Sequence, residues 1–187
     1  MMKIMQKYFL AIVPVGEFEE QVTDLKLEIK SRFQAKYALK SPPHVTVKMP
    51  FTYNEAKEEK LLQQLETFTH GYEPIHISIK GVQTFGTRVI YLGVSAGQDL
   101  YEFQADLKTF CKREMNLVDE LSDRNFHPHM TIAFKDIKKA QFQNILHYAQ
   151  EVNLKQDLIV NEIVLLKKLE GQWIAYRKLP LKKAYPF

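Results

Sequence analysis

The sequence predicts an α+β fold of two pseudo-symmetric lobes, each a small, mainly antiparallel sheet with outer helices, the two sheets facing a central cleft. Three observations lead there. Pro43-His44-Val45-Thr46-Val47 recurs as Pro128-His129-Met130-Thr131-Ile132, 85 residues further on in a chain of 187. The order of elements around each copy is the same: strand, helix, motif strand, helix, strand. No low-complexity stretch or linker separates the halves, and 45% hydrophobic content suffices for one packed core. The expectation is one bilobal domain over residues 1–187, with approximate repeat halves 7–87 and 88–180.

Lys7 to Pro14 is a compact apolar run closed by Pro14 and Gly16 and reads as a buried strand. Phe18, Val22, Leu25, Ile29 and Phe33 then follow helical spacing, with Glu17, Glu19 and Glu20 in the first turn, where the helix dipole favours acids. Ser41-Pro42-Pro43 stops helical structure and feeds the first motif strand, which ends at Pro50. Asn54 can cap the next helix, whose inner face is Leu61, Leu65 and Phe68, ending near Gly71. Ile75, Ile77 and Ile79 alternate with His76, Ser78 and Lys80, the pattern of a half-exposed strand.

Gly81 to Thr87 reads as a loop or turn, and Arg88 opens the run Val89 to Val94, which parallels the run from Tyr8 at an offset near 81. Leu100, Phe103, Leu107 and Phe110 mark a third helix, followed by a polar connection from Asp119 to Asn125. Phe142, Ile145, Leu146, Ala149 and Val152 mark a fourth. Leu158 to Leu169 and Trp173 to Leu179 read as two strands joined by a hairpin at Glu170-Gly171-Gln172.

Composition excludes some classes. A single cysteine, Cys111, rules out an internal disulfide and any multi-cysteine metal site, and its helical spacing from Leu107 and Phe103 makes it a packing residue. The early apolar run Tyr8 to Val13 is too short to span a membrane and has no small-residue cleavage site, so neither signal peptide nor anchor is expected, and the location expected is cytoplasmic. A net charge of +4 favours anionic partners only weakly.

The motif carries the chemistry. Side chains two apart on a strand share a face, so His44 lies with Thr46 and His129 with Thr131, while Val45, Val47, Met130 and Ile132 face a core. Six His and nine Thr placed at random would give about 0.3 His-x-Thr occurrences, against two here, each preceded by proline. His76-Ile77-Ser78-Ile79 fits only a looser pattern and reads as a solvent face. Two imidazoles across a cleft suit general acid–base catalysis, since a pKa near 6.5 lets one accept a proton while the other donates. Phosphodiester cleavage needs such a pair, with hydroxyls such as those of Thr46 and Thr131 holding the phosphoryl oxygens.

At these residues the chain resembles the two-histidine phosphoesterase superfamily, in its 2′-5′ RNA ligase-like and cyclic phosphodiesterase branch. The likeness rests on both motifs, on Arg124 to Ile132, on the Arg88 to Val94 strand and on the late strand ending Leu179-Pro180-Leu181. It implies metal-independent, cofactor-free hydrolysis of 2′,3′-cyclic phosphates or 2′-5′ linkages on RNA ends or small nucleotides. His44 and His129 would be the acid–base pair, in an order left open, and Thr46 and Thr131 would bind phosphate. Lys135 stands where many relatives have an arginine shortly after the second motif. Lys48, Arg124 and Lys135 are candidates for phosphate contact, weighed against plain solvation, and Phe51 and Tyr53 are candidates for base stacking, weighed against packing. His127 and His129 also have a metal-ligand spacing, but Pro128 separates them and a third ligand is lacking, so no metal is expected. His70 and His147 read as surface residues and a monomer as the default. The alternative function is a non-catalytic nucleotide or RNA-end binding module using the same cleft.

Overall fold

The computed structural model describes residues 4–182. In chain order the elements are β1 (Met5–Ile12), α1 (Glu17–Phe33), β2 (Val45–Asn54), α2 (Glu58–Thr69), β3 (Ile75–Phe85), β4 (Val89–Ala96), α3 (Gln98–Met115), α4 (Leu121–Arg124), β5 (His129–Phe134), α5 (Phe142–Val152), β6 (Lys155–Val160), β7 (Glu162–Leu169) and β8 (Gln172–Pro180). The α+β class agrees with the sequence reading, and so does the order of elements apart from α4, which lies in the expected polar connection, and the division of one expected strand into β6 and β7. Phe18, Val22, Leu25 and Ile29 are buried on α1, and its acidic first turn is in place. Asn54 accepts from the Ala56 amide at 3.2 Å, capping a 3₁₀ turn that runs into α2.

The strands form one eight-stranded sheet in the order β6-β3-β4-β5-β2-β1-β7-β8, and every pairing is antiparallel. Here the structure differs from the expectation of two separate sheets facing each other. The motif strands β2 and β5 are neighbours at the centre, joined through the single pair Val45↔Met130. Two four-stranded half-sheets, β6-β3-β4-β5 and β2-β1-β7-β8, therefore share a narrow seam. They do not coincide with the sequence halves either. β3 pairs with β4 across the expected boundary, and β7 returns to β1.

Two local readings are corrected. β3 continues to Phe85, and Gly81, at φ +72°, sits where the register with β4 shifts between Ile79 and Val82. It is a bulge glycine inside a strand rather than the start of a loop, its positive φ being a conformation that costs glycine little. The run from Leu158 to Leu169 is interrupted at Asn161, so that β6 pairs with β3 while β7 pairs with β1, in opposite half-sheets.

The main core lies on the side of the sheet facing α1, α2, α3 and α5 and includes Leu10, Val45, Leu61, Ile79, Leu92, Phe103, Met130 and Ile145. Leu10 is fully buried, and truncation to alanine there would cost about 2–5 kcal/mol through lost transfer energy and a residual cavity. β1 is buried on both faces, because Phe9 and Ala11 form a second, smaller cluster with Val164 and Leu166 on the opposite side. Cys111 is buried within the main core, and burial pushes its thiol up to about 12. Among the described residues no helix is long and apolar enough to cross a membrane.

Candidate active site

The seam builds the site. Val45 and Met130 are paired and both point into the core. Their neighbours on each strand must therefore face the other way. Extending the antiparallel register by one residue sets Thr46 across from His129 and His44 across from Thr131. Each histidine thus faces the other copy's threonine, and the two histidines are diagonal neighbours, about 7–8 Å apart at the backbone. They stand side by side, His44 immediately before β2 and His129 at the start of the adjoining β5, rather than on opposed sheets.

Both copies also share a bulge. Ala11 pairs with Thr46, but the next pair is Leu10 with Lys48, leaving Val47 as the extra residue. Tyr91 pairs with Thr131, but the next pair is Ile90 with Ala133, leaving Ile132 extra. A bulge sharpens local twist and re-aims the side chains beyond it. One result is that Val47 and Lys48 are both buried, as are Ile132 and Ala133.

The imidazoles are oriented alike. His44 Nδ1 lies 2.7 Å from the Pro42 carbonyl, and His129 Nδ1 lies 2.7 Å from the His127 carbonyl. A carbonyl only accepts, so Nδ1 carries the proton in both rings and Nε2 is left with its lone pair free to accept one. The motif proline gains a reason here. Pro42 and His127 each precede a proline, which confines them to extended backbone and fixes the carbonyl that holds the ring.

The surroundings differ. The His44 ring lies 5.0 Å from Phe9, itself edge-on to Trp173 at 4.8 Å. Burial lowers its pKa to about 4, with the Lys26 and His129 charges acting in the same direction and the Pro42 hydrogen bond opposing. His129 lies 5.0 Å from Phe85 and 5.2 Å from Tyr91, and burial lowers its pKa too, partly offset by the His127 carbonyl. Beside it opens a cavity of about 310 Å³ lined by Thr46, Met49, Phe85, Phe126, His127 and His129 and by the α4 segment. A larger hollow of about 520 Å³, lined by His76, Ser78, Ser95 and Asp157, lies further out on the same half-sheet.

The family model of the 2'-5' RNA ligase superfamily matches residues 14–172. The chain belongs to that superfamily. A protein of Oceanobacillus iheyensis, provisionally named a phosphoesterase, is 31% identical over 94% of this chain and 98% of its own length. A Geobacillus kaustophilus protein named in the same way is 26% identical over 91% of this chain and 93% of its own. Among solved structures, a Thermus thermophilus protein aligns with a TM-score of 0.64 at 15% identity, covering 96% of this chain and all of that one. Escherichia coli LigT without ligand aligns with a TM-score of 0.62 at 16% identity, over 96% of this chain and 99% of its own. LigT has also been solved with 3'-AMP and with ATP.

Within this superfamily fold the remaining sequence candidates fall into three groups. His44, Thr46, His129 and Thr131 come together at the seam. Lys48, Phe51 and Tyr53 do not. The bulge turns Lys48 inward, where it is fully buried, paired with the buried Asp123 carboxylate, and donates to the Val118 carbonyl at 3.2 Å. Phe51 is buried and stacked on Tyr8 at 6.0 Å, and Tyr53 packs against the main core. Arg124 is exposed at the end of α4, and Lys135, in a left-handed conformation just past β5, donates to the Tyr37 hydroxyl at 3.1 Å. His76 is exposed, as expected of a solvent face.

Sequence reasoning missed Phe9, Phe85, Tyr91 and Trp173 around the imidazoles. Phe9 and Tyr91 were within predicted strands, and their neighbours' alternation would have put them on the motif face. It also missed Asp123, inside what read as a polar connection. Its carboxylate accepts from Met49 N at 2.8 Å and Glu120 N at 3.0 Å besides Lys48, pinning the α4 turn to β2. Among the described residues no group of three or more His, Cys, Asp or Glu converges as a metal-binding set would.

Proposed function

We propose that the protein is a metal-independent phosphodiesterase that opens 2′,3′-cyclic phosphates or cleaves 2′-5′ linkages of RNA ends or nucleotides by acid–base catalysis between His44 and His129. The observation that carries this reading is the two-by-two block at the seam, in which two free Nε2 atoms and two threonine hydroxyls share one face and each histidine adjoins the other motif's threonine. A phosphoryl group centred there meets a base and an acid on a diagonal, with the hydroxyls of Thr46 and Thr131 as donors to its oxygens. Family membership and the nucleotide complexes of LigT support the substrate class.

The unequal environments of the two rings support a division of roles. His44, neutral down to about pH 4, takes the proton from the attacking water, and His129 protonates the leaving ribose oxygen. The P–O3′ bond breaks as the P–O(water) bond forms, leaving a 2′-phosphate and a free 3′-hydroxyl. The test is turnover of a 2′,3′-cyclic nucleotide panel and 2′-5′ dinucleotides in excess EDTA, for wild type, His44→Ala, His129→Ala and His76→Ala. Loss in the first two variants alone is expected. A wild type that binds nucleotides without turning any over would instead establish a binding module.

A further inference from the structure

The His44 side of the site contains a buried cation that the acid–base pair does not account for. Lys26, on α1, is 2% exposed, and its ammonium donates to the carbonyls of Ala38 at 3.2 Å and Ser41 at 3.3 Å. Both acceptors are main-chain oxygens. Burying an ammonium against neutral partners is costly, and a methionine would fill similar space without that cost, so packing alone does not explain a lysine. Ser41 leads directly into Pro42, whose carbonyl holds the His44 ring.

The other half has a counterpart without the charge. Gln104, on α3, is 3% exposed and donates to the Asp123 carbonyl at 3.0 Å, within the segment that leads to His127 and His129. Each half therefore ties the approach to its motif with a buried side chain from the preceding helix, a cation on one side and an amide on the other.

We propose that Lys26 is a positioning residue for His44: it clamps the Ala38 and Ser41 carbonyls so that the Pro42 carbonyl orients the imidazole, and its charge sets His44 apart from His129 as the base. The inference rests on the acid–base reading above. Burial brings the Lys26 ammonium down to about 8, so it is charged at neutral pH, and its charge adds to burial, the larger cause, in keeping a proton off His44. The other groups facing this crevice are Glu19 of α1, Lys40 of the loop and the uncharged Gln172 and Trp173 of β8, while His129 is the second charge acting on His44.

The experiment compares Lys26→Met, Lys26→Gln and Lys26→Arg with wild type by imidazole NMR titration and by pH profiles of kcat and KM on a 2′,3′-cyclic nucleotide. The glutamine variant gives the first half the group that Gln104 supplies to the second. Met and Gln should raise the His44 titration by about half a unit to one unit, as removal of a nearby charge does, and leave that of His129 in place. They should lower kcat roughly tenfold while KM changes less than about twofold, the pattern of a misaligned base. Arg, which keeps the charge, should hold the His44 titration close to that of wild type. A His44 titration and kcat unchanged in folded Met and Gln variants would overturn the proposal, and either variant alone is enough to do so. If the wild type proves inactive, the acid–base reading fails by itself, and the NMR titration still decides what Lys26 does to His44.

Discussion

The strand carrying His44 and the strand carrying His129 repeat one local device in detail: an extended residue before proline whose carbonyl holds Nδ1, a threonine two residues on, and a bulge directly after it. Around that device the two half-sheets diverge. On the His44 side the same face is filled by Phe9, Ala11, Val164 and Leu166, and a buried lysine braces the loop. On the His129 side the ring is flanked by Phe85 and Tyr91, stands next to His127, and borders an open cavity. The lesson is that duplicated backbone geometry supplies two equivalent imidazoles, and unequal burial and charge make them different. In the proposed mechanism that difference would turn one repeated motif into a proton acceptor and a proton donor.

The largest expected effects treat the two histidines as equals. His44→Ala and His129→Ala should each lower kcat by about 10²–10⁴-fold, and the double variant should lose little more than either single one, because the pair acts as a unit. Measured on one cyclic nucleotide, a large loss in only one of them would break the symmetry at its root. Next comes the tie across the seam. Lys48→Met or Asp123→Asn leaves a buried charge or polar group without its partner and should destabilise the protein by about 3–5 kcal/mol in urea unfolding.

The pH dependence sharpens the contrast. On the proposed mechanism His44 acts unprotonated and His129 protonated, so activity should rise with pH through about 4. It should fall again as pH rises through the His129 value, below the ordinary 6.5. The kcat/KM profile of the free enzyme should therefore be a bell with an acidic optimum and an alkaline limb falling about tenfold per unit. Smaller still, Phe85→Ala should let water reach His129 and move only the alkaline limb upward, since Phe85 touches the second ring and not the first. His76→Ala should change nothing, as an exposed residue on β3 outside the motif block.

The sequence made the repeat, the helices and the four seam residues legible, because period-2 and period-3.6 patterns and a duplicated motif are local signals. It did not reveal that β2 and β5 adjoin. Val45 and Met130 are apolar in either arrangement, and strand order is set by long-range pairing. Nor did it reveal the break at Asn161, where an unbroken run of strand-forming residues is divided between half-sheets by the need of both β3 and β1 for a partner. Lys48 was misplaced for a related reason: strict alternation puts it beside Thr46 on the open face, and one extra residue in the bulge reverses it. The aromatic residues around the imidazoles became visible only with the cross-strand register, although each already lay in or beside a predicted strand.

The division of the pair into base and acid is tested most directly by a pH titration of the wild-type protein in which the imidazole resonances of His44 and His129 are followed together by NMR. His44 should gain its proton only near pH 4, and His129 should do so at a higher pH still below 6.5. Two coincident titrations, or a His44 that protonates before His129 as the pH falls, would contradict that division.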